Sequence, residues 1–276
     1  MKRTLLIILA AVSILLMPGC NKSSLDGSGR LVIKVTDAPF PISSIESATV
    51  TITKVEIRKA GDGVPDGNPF IVVSTEPKTF DLLDLRNGLV EELVNLEIPQ
   101  GSYDLIRLYV DEAGLKIKDG GDFSVKVPSG KQTGIKLFIE PAINVAGGLT
   151  SEVLLDFDLS NSFVMRGNLN SPHGINGFIF KPVIRVVNTS TAGTLEGLVT
   201  DKLDVHVDSA SVWVAKDTIV ASTMADSLGK YRIIGLPAGT YSVFAAKENF
   251  DTVRVDGVDI VEGNKTILDL ILTSKK

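Results

Sequence analysis

Cysteine occurs once in the 276 residues, histidine twice and tryptophan once, and aromatic residues of all kinds make up 6%. With its single thiol at Cys20, the chain downstream holds no disulfide, no cysteine nucleophile and no thiolate metal site, so its stability must come from its core. His206 alternates with Val205 and Val207, which puts it on the wet face of a strand; His173 follows Ser171-Pro172 in a loop. Neither stands in a Glu-x-x-x-His spacing or beside a Gly-x-Ser-x-Gly elbow, so the usual hydrolase and metalloenzyme signatures are missing. Gly130-Lys131 lacks the glycine spacing of a phosphate loop and is followed by Gln132 rather than Ser or Thr. Basic stretches are absent too. Setting aside Lys2 and Arg3 from the 28 basic residues leaves 26 against 33 acidic ones, a balance that excludes nucleic acid as a partner.

What is present begins at the N-terminus. Lys2 and Arg3 precede an apolar run, Leu5–Leu16, closed by Pro18-Gly19-Cys20. A helix of that run spans about 18 Å against the roughly 30 Å of a bilayer core, too short to anchor and apt for a signal peptide. Gly19-Cys20 after the run resembles the lipobox of bacterial lipoproteins, with Met17 and Pro18 as departures from its usual residues. The resemblance implies removal of residues 1–19 and acylation of Cys20, leaving 257 of the 276 residues on a lipid. The Ser/Gly-rich segment 20–29 then reads as a tether.

Short segments rich in Val, Ile and aromatics, punctuated by Gly, Pro, Asn and Asp, fill the rest. They predict an all-β protein of two antiparallel β-sandwich domains, at 30–187 and 193–274, with a linker at 188–192. The expected strands are Leu31–Thr36, Ala48–Arg58, Phe70–Val73, Tyr103–Val110, Leu115–Lys118, Phe123–Val127, Ile135–Glu140, Val153–Leu159 and Phe178–Val187, with six more beyond the linker. In Ala48–Arg58 the apolar alternation Val50, Ile52 slips by one before Val55, Ile57, which predicts a bulge or bend at Thr53-Lys54. Gly88–Leu96 is readable as helix or buried strand, and 62–68 as a long hairpin connection. Ile98–Val110 and Leu236–Lys247 share apolar-Pro-x-Gly-[Ser/Thr]-Tyr, an internal echo that predicts one sandwich corner used twice.

On these residues the families can be named. Gly197–Asp201, Ala210–Val214, Ala225–Ile233, Leu236–Tyr241 and Leu268–Leu272 resemble the carboxypeptidase regulatory-like domain, a transthyretin-like, Ig-like sandwich. Asn249-Phe250 replaces its usual Gly-Tyr, in a turn that Asn tolerates. Thr36–Pro39, Ala48–Ile57, Leu82–Gly88, Pro99–Leu108, Val127–Leu137, Leu154–Asp158 and Phe180–Val186 resemble domain of unknown function 4382, which implies no particular activity.

Two candidate sites remain. Asp156 and Asp158 lie two apart on a strand, about 7 Å, and with Asp37 would hold a structural Ca²⁺ if their strands were neighbours. The preferred alternative makes Asp156 and Asp158 a solvated face and Asp37 a turn cap before Pro39, because oxygen-ligand sites cluster in loops. Ala210, Val212 and Val214 match inward positions of the regulatory-like domain and send Trp213 outward, the geometry of a sugar-stacking ligand site as in starch-binding modules, unless a neighbouring domain or strand covers it. The expectation is a non-enzymatic lipoprotein of the outer membrane, facing the periplasm or the cell surface. It presents sandwich domains to an envelope protein or a glycan, with a carbohydrate-binding accessory and a fimbria-like subunit as alternatives. No cofactor beyond such a calcium ion is expected.

Overall fold

The structure, a computed structural model, describes residues 27–38, 45–61, 69–118, 121–125, 127, 130–167 and 175–275. Cys20, the signal peptide, most of the tether, the 62–68 connection and His173 lie outside the described residues.

Strands β1 (Ser28–Ala38), β2 (Ile45–Lys59), β3 (Phe70–Ser74) and β4 (Lys78–Asp81) lead to a 3₁₀ turn at Leu82–Leu85. After it come β5 (Glu91–Pro99), β6 (Gly101–Ile117), β7 (Asp122–Val125), β8 (Ile135–Val145) and β9 (Thr150–Asp158). A one-turn helix α1 (Leu159–Ser162) precedes β10 (Phe163–Gly167), β11 (Ile175–Phe180) and β12 (Ile184–Asn188). The smaller domain holds β13 (Ala192–Asp201), β14 (Ser211–Ala215), β15 (Ile219–Met224), β16 (Lys230–Pro237) and β17 (Gly239–Ala246). It ends with β18 (Phe250–Asp251), β19 (Val253–Ile260), β20 (Lys265–Ile267) and β21 (Leu270–Ser274).

The protein is all-β and built of two sandwiches. In the first, the sheet β12-β9-β1-β5 packs on β3-β2-β6-β7, with β4 beside β2 and β8 beside β6; β10 and β11 form a separate ribbon. In the second, β16-β13-β21-β18 faces β15-β14-β17-β19, with β20 beside β13. Pairing is antiparallel except where the first strand of each domain runs parallel to a late one: β1 along β9, and β13 along β20 and β21.

The cores follow from the two-residue period of a strand. Leu31, Ile33 and Val35 of β1 meet Val153, Leu155 and Phe157 of β9 and Tyr103, Ile106 and Leu108 of β6 in one cluster. Burying each large side chain contributes about 1.5–3 kcal/mol. The slip in β2 is a bulge: Ile52 pairs with Val110 and Lys54 with Tyr109, leaving Thr53 between them without a partner residue. Because of it, Val50, Ile52, Val55 and Ile57 all enter the same core.

Two of the strand readings need correction. Tyr103–Val110 and Leu115–Lys118 are one strand, β6, because β2 pairs with it continuously to Ile117. Phe178–Val187 is two strands in two sheets, β11 on β10 and β12 on β9. Pro182 lies in the break, where it can donate no ladder hydrogen bond. Within Gly88–Leu96 the strand begins at Glu91, where β5 registers along β1, and Gly88 lies in the turn before it. Residues 188–192, read as a linker, hold a tight turn. The Asn188 side chain accepts from the Ser190 amide, Thr189 Oγ1 donates to the Glu152 carbonyl, and Ala192 is buried.

The echoed motif is one corner built twice. The Tyr103 hydroxyl donates to the Pro99 carbonyl at 2.7 Å, and the Tyr241 hydroxyl to the Pro237 carbonyl at 2.7 Å. Between them Gly101 and Gly239 hold φ of 151° and 147°, a conformation that favours glycine. Asn249 adopts φ 66°, as its place in the turn requires.

Candidate binding surfaces

Trp213 sits on β14 between the buried Val212 and Val214, so its ring lies on the outer face of the sheet. Register puts Ser222 of β15 on one side of it and Phe244 of β17 on the other, with Arg254 of β19 beside Phe244. The two rings stack, centroids 5.2 Å apart and planes 1° from parallel, and the Arg254 guanidinium lies 5.4 Å from the Phe244 ring. Trp213 is therefore half-buried, one face taken by its neighbour. Such a stack adds about 0.5–1.5 kcal/mol beyond area burial. Arg254 Nε donates to Asp256 at 2.7 Å and the Ser242 hydroxyl donates to the same carboxylate at 2.5 Å. Those two bonds, Ser242's first, hold the Asp256 carboxyl below its usual range. Sequence reasoning missed Phe244. The signal was there in the alternation of Tyr241, Val243 and Ala245, all inward, which sends Phe244 out.

The three carboxylates are placed otherwise than either reading expected. Asp156 is not a solvated face: it is 7% exposed and bound by Arg185 of β12, Nη2 to Oδ2 at 2.6 Å and Nε at 3.1 Å. Burial raises its pKa, with Arg185 pulling the other way. Asp158 caps α1, accepting from the Asn161 amide and side chain at 3.1 and 2.6 Å. Asp37 does not cap a turn with its side chain; it is 5% exposed and neither oxygen has a hydrogen-bond partner among the described residues. β1 and β9 are indeed neighbours, but an arginine occupies the position that a cation would need. Among the described residues no group of three His, Cys, Asp or Glu is arranged to hold a metal ion.

Arg185 also reaches across to the smaller domain, donating to the Gly235 and Ile234 carbonyls of β16. Asn87 does the same farther along: its amide donates to the Lys230 carbonyl at 3.3 Å and accepts from the Arg232 amide at 2.6 Å. Together these side chains cover the free edge of β16, and Leu154, Val187, Ala192 and Ile234 form a small apolar cluster beside them. On the outer face of the six-stranded sheet, Glu56 gathers Lys54 (2.8 Å), Tyr109 (3.0 Å) and Arg107 (3.3 Å). Burial pushes the Glu56 carboxyl up, but the bonds from Lys54 and Tyr109 outweigh it and leave its pKa lowered. Farther along that face, Ser47, Thr49, Thr51, Thr79, Glu112 and Lys116 line a shallow depression of about 430 Å³. His206 is exposed and pairs with Thr200 in an isolated bridge.

Comparison with known proteins gives two family matches in chain order. Residues 28–182 match the Domain of unknown function (DUF4382), and residues 194–273 match the Carboxypeptidase regulatory-like domain. No curated protein matches. Solved structures with similarity include the shaft pilin SpaA of Lactobacillus rhamnosus GG, 11% identical over 90% of this chain and 98% of that one, TM-score 0.29. The minor pilin GBS52 of Streptococcus agalactiae is 10% identical over 90% and 97%, TM-score 0.25. A cohesin–X-dockerin complex from Acetivibrio cellulolyticus is 22% identical over 29% of this chain, TM-score 0.24. The chain spans 56% of that chain and 34% of the Bacillus anthracis TIE protein. These overlays are too distant to carry function.

Proposed function

We propose that this chain, which belongs to the Domain of unknown function (DUF4382) family and closes in a carboxypeptidase regulatory-like domain, is a non-catalytic, lipid-tethered protein that works by contact. The observation that supports a binding role is the outer rung of the smaller domain. Trp213 and Phe244 present stacked ring surface, and Ser242, Arg254 and Asp256 place donors and acceptors beside it. Aromatic surface next to directed polar groups suits a sugar ring, whose faces are apolar and whose rim is hydroxyl. A glycan of the cell envelope is therefore the ligand class we favour, with an envelope protein as the other occupant. Polysaccharide arrays probed with the full chain test this. Binding that falls at least tenfold in Trp213→Ala and in Phe244→Ala supports the glycan; an array profile unchanged by either substitution ends that reading.

Tethering rests on Cys20, the chain's one thiol, placed after an apolar run of signal-peptide length. Two or more acyl chains anchor a protein durably where one does not. Labelling cells with a clickable fatty acid is expected to mark the wild type and not Cys20→Ser; an unlabelled wild type removes the tether. Protease shaving of intact cells then distinguishes a surface-facing protein from the periplasm-facing one we favour.

A further inference from the structure

We propose that Asp37 is a proton-operated latch between the two domains: with its proton it lies quietly in the closed seam, and without it the seam must open. Asp37 ends the first strand of the larger domain and is 5% exposed. Across the seam, Thr223 of β15 is 2% exposed. Both carboxyl oxygens of Asp37 and the Thr223 hydroxyl are without hydrogen-bond partners among the described residues. All three belong to residues lining one void of about 10 Å³, together with Thr36, Asp156, Arg185 and Arg232. A void of that size holds at most a single water. An ionised carboxylate accepts roughly four hydrogen bonds, so its charge can be hydrated there only by parting the domains.

The surrounding charges favour the proton. Burial is the largest influence and raises Asp37 well above the usual carboxylate range; Asp156 and Asp158 on β9 push the same way. Arg86, after the 3₁₀ turn, opposes them by less than Asp156 contributes and by more than Asp158 adds; the Leu159 amide at α1 opposes least, lying close to the carboxyl without a hydrogen bond of full geometry. The other cations at the seam are committed elsewhere, Arg185 to Asp156 and Arg232 to Glu196 at 3.6 Å. With the closed-state value raised, the stabilisation is complete below the ordinary carboxylate pKa, about 4, and is lost as pH climbs through the raised value. Mild acid therefore tightens the seam, and rising pH loosens it. Asp156, raised by burial against the pull of Arg185, leans the same way, so the test turns on Asp37 itself.

The Arg232 amide, which donates across the seam to Asn87, reports opening. Hydrogen exchange of the full chain at that amide, corrected for its intrinsic pH dependence, is expected to lose protection about tenfold per pH unit within the titration window. Asp37→Asn, nearly the same shape and unable to ionise, is expected to flatten that slope, while Thr223→Val leaves it in place. A flat wild-type profile, or the same slope in Asp37→Asn, overturns the latch. Carbon-13 carboxyl titration of the wild type needs no variant: a midpoint for Asp37 in the ordinary range overturns it, and a raised midpoint supports it.

Discussion

The corner at Pro99–Tyr103 and the corner at Pro237–Tyr241 share a turn, a positive φ at glycine and a tyrosine bond of the same length. They differ in their surroundings. Tyr103 starts a strand of 17 residues, flanked by β2 and β8, and is fully buried. Tyr241 starts a strand of 8 residues, and the Lys216 ammonium lies 4.9 Å from its ring. Burial raises the pKa of both phenols, so both keep their protons and donate. The device is thus local, closing inside five residues, and indifferent to the length of the strand that it starts. What distinguishes the domains is laid on afterwards: the bulge in one, the aromatic rung on the other, and the seam that joins them.

Val55→Ala combined with Ile57→Ala breaks the comparison most severely. Both side chains are fully buried in the larger domain's core, which the bulge at Thr53 lets them enter beside Val50 and Ile52. Truncating both costs on the order of 5 kcal/mol or more. Calorimetry is expected to show the larger domain's transition lost and the smaller domain's retained; loss of both would mean that neither corner supports a domain alone.

Arg185→Ala strikes the seam. It strands Asp156 as a buried, unpaired charge and removes the bonds to Ile234 and Gly235. The expected loss is about 3–5 kcal/mol in denaturant unfolding, with the two transitions separating. Replacing Asp156 and Arg185 together by leucine is expected to return most of it, because no unpaired charge is left.

The smallest change sharpens the comparison. Tyr103→Phe and Tyr241→Phe each delete one hydroxyl and one bond to a proline carbonyl, for about 1 kcal/mol apiece. Equal losses, one in each domain's transition, are expected from equal geometry. A loss at Tyr103 alone would assign the stabilisation to the longer strand rather than to the corner.

The readable parts of this molecule were the ones that act over a few residues. Alternation placed most strands, a single slip located the bulge at Thr53, and a six-residue pattern marked both corners. Distance erased the rest. Trp213 could be sent outward by parity, but its partner Phe244 depends on β14 lying beside β17, thirty-one residues on. The pairing of Asp156 with Arg185 needs β12 to lie next to β9, and the pattern hid even the existence of β12 by running it on from β11. Asn87 occupies a loop in the sequence and an edge in the fold, and only domain docking makes it an edge cap.

Pairing of β1 with β9 governs how this molecule comes into being. Arg30 lies beside Thr150, so the first strand, paired on its other edge with β5, waits for its second partner roughly 120 residues downstream, whereas Thr194 meets Lys265 after only about 70. The entropy of closing the longer loop is only slightly greater, but contacts so remote slow the search. As the chain emerges, one edge of its first strand stays bare until the ninth strand arrives to close it.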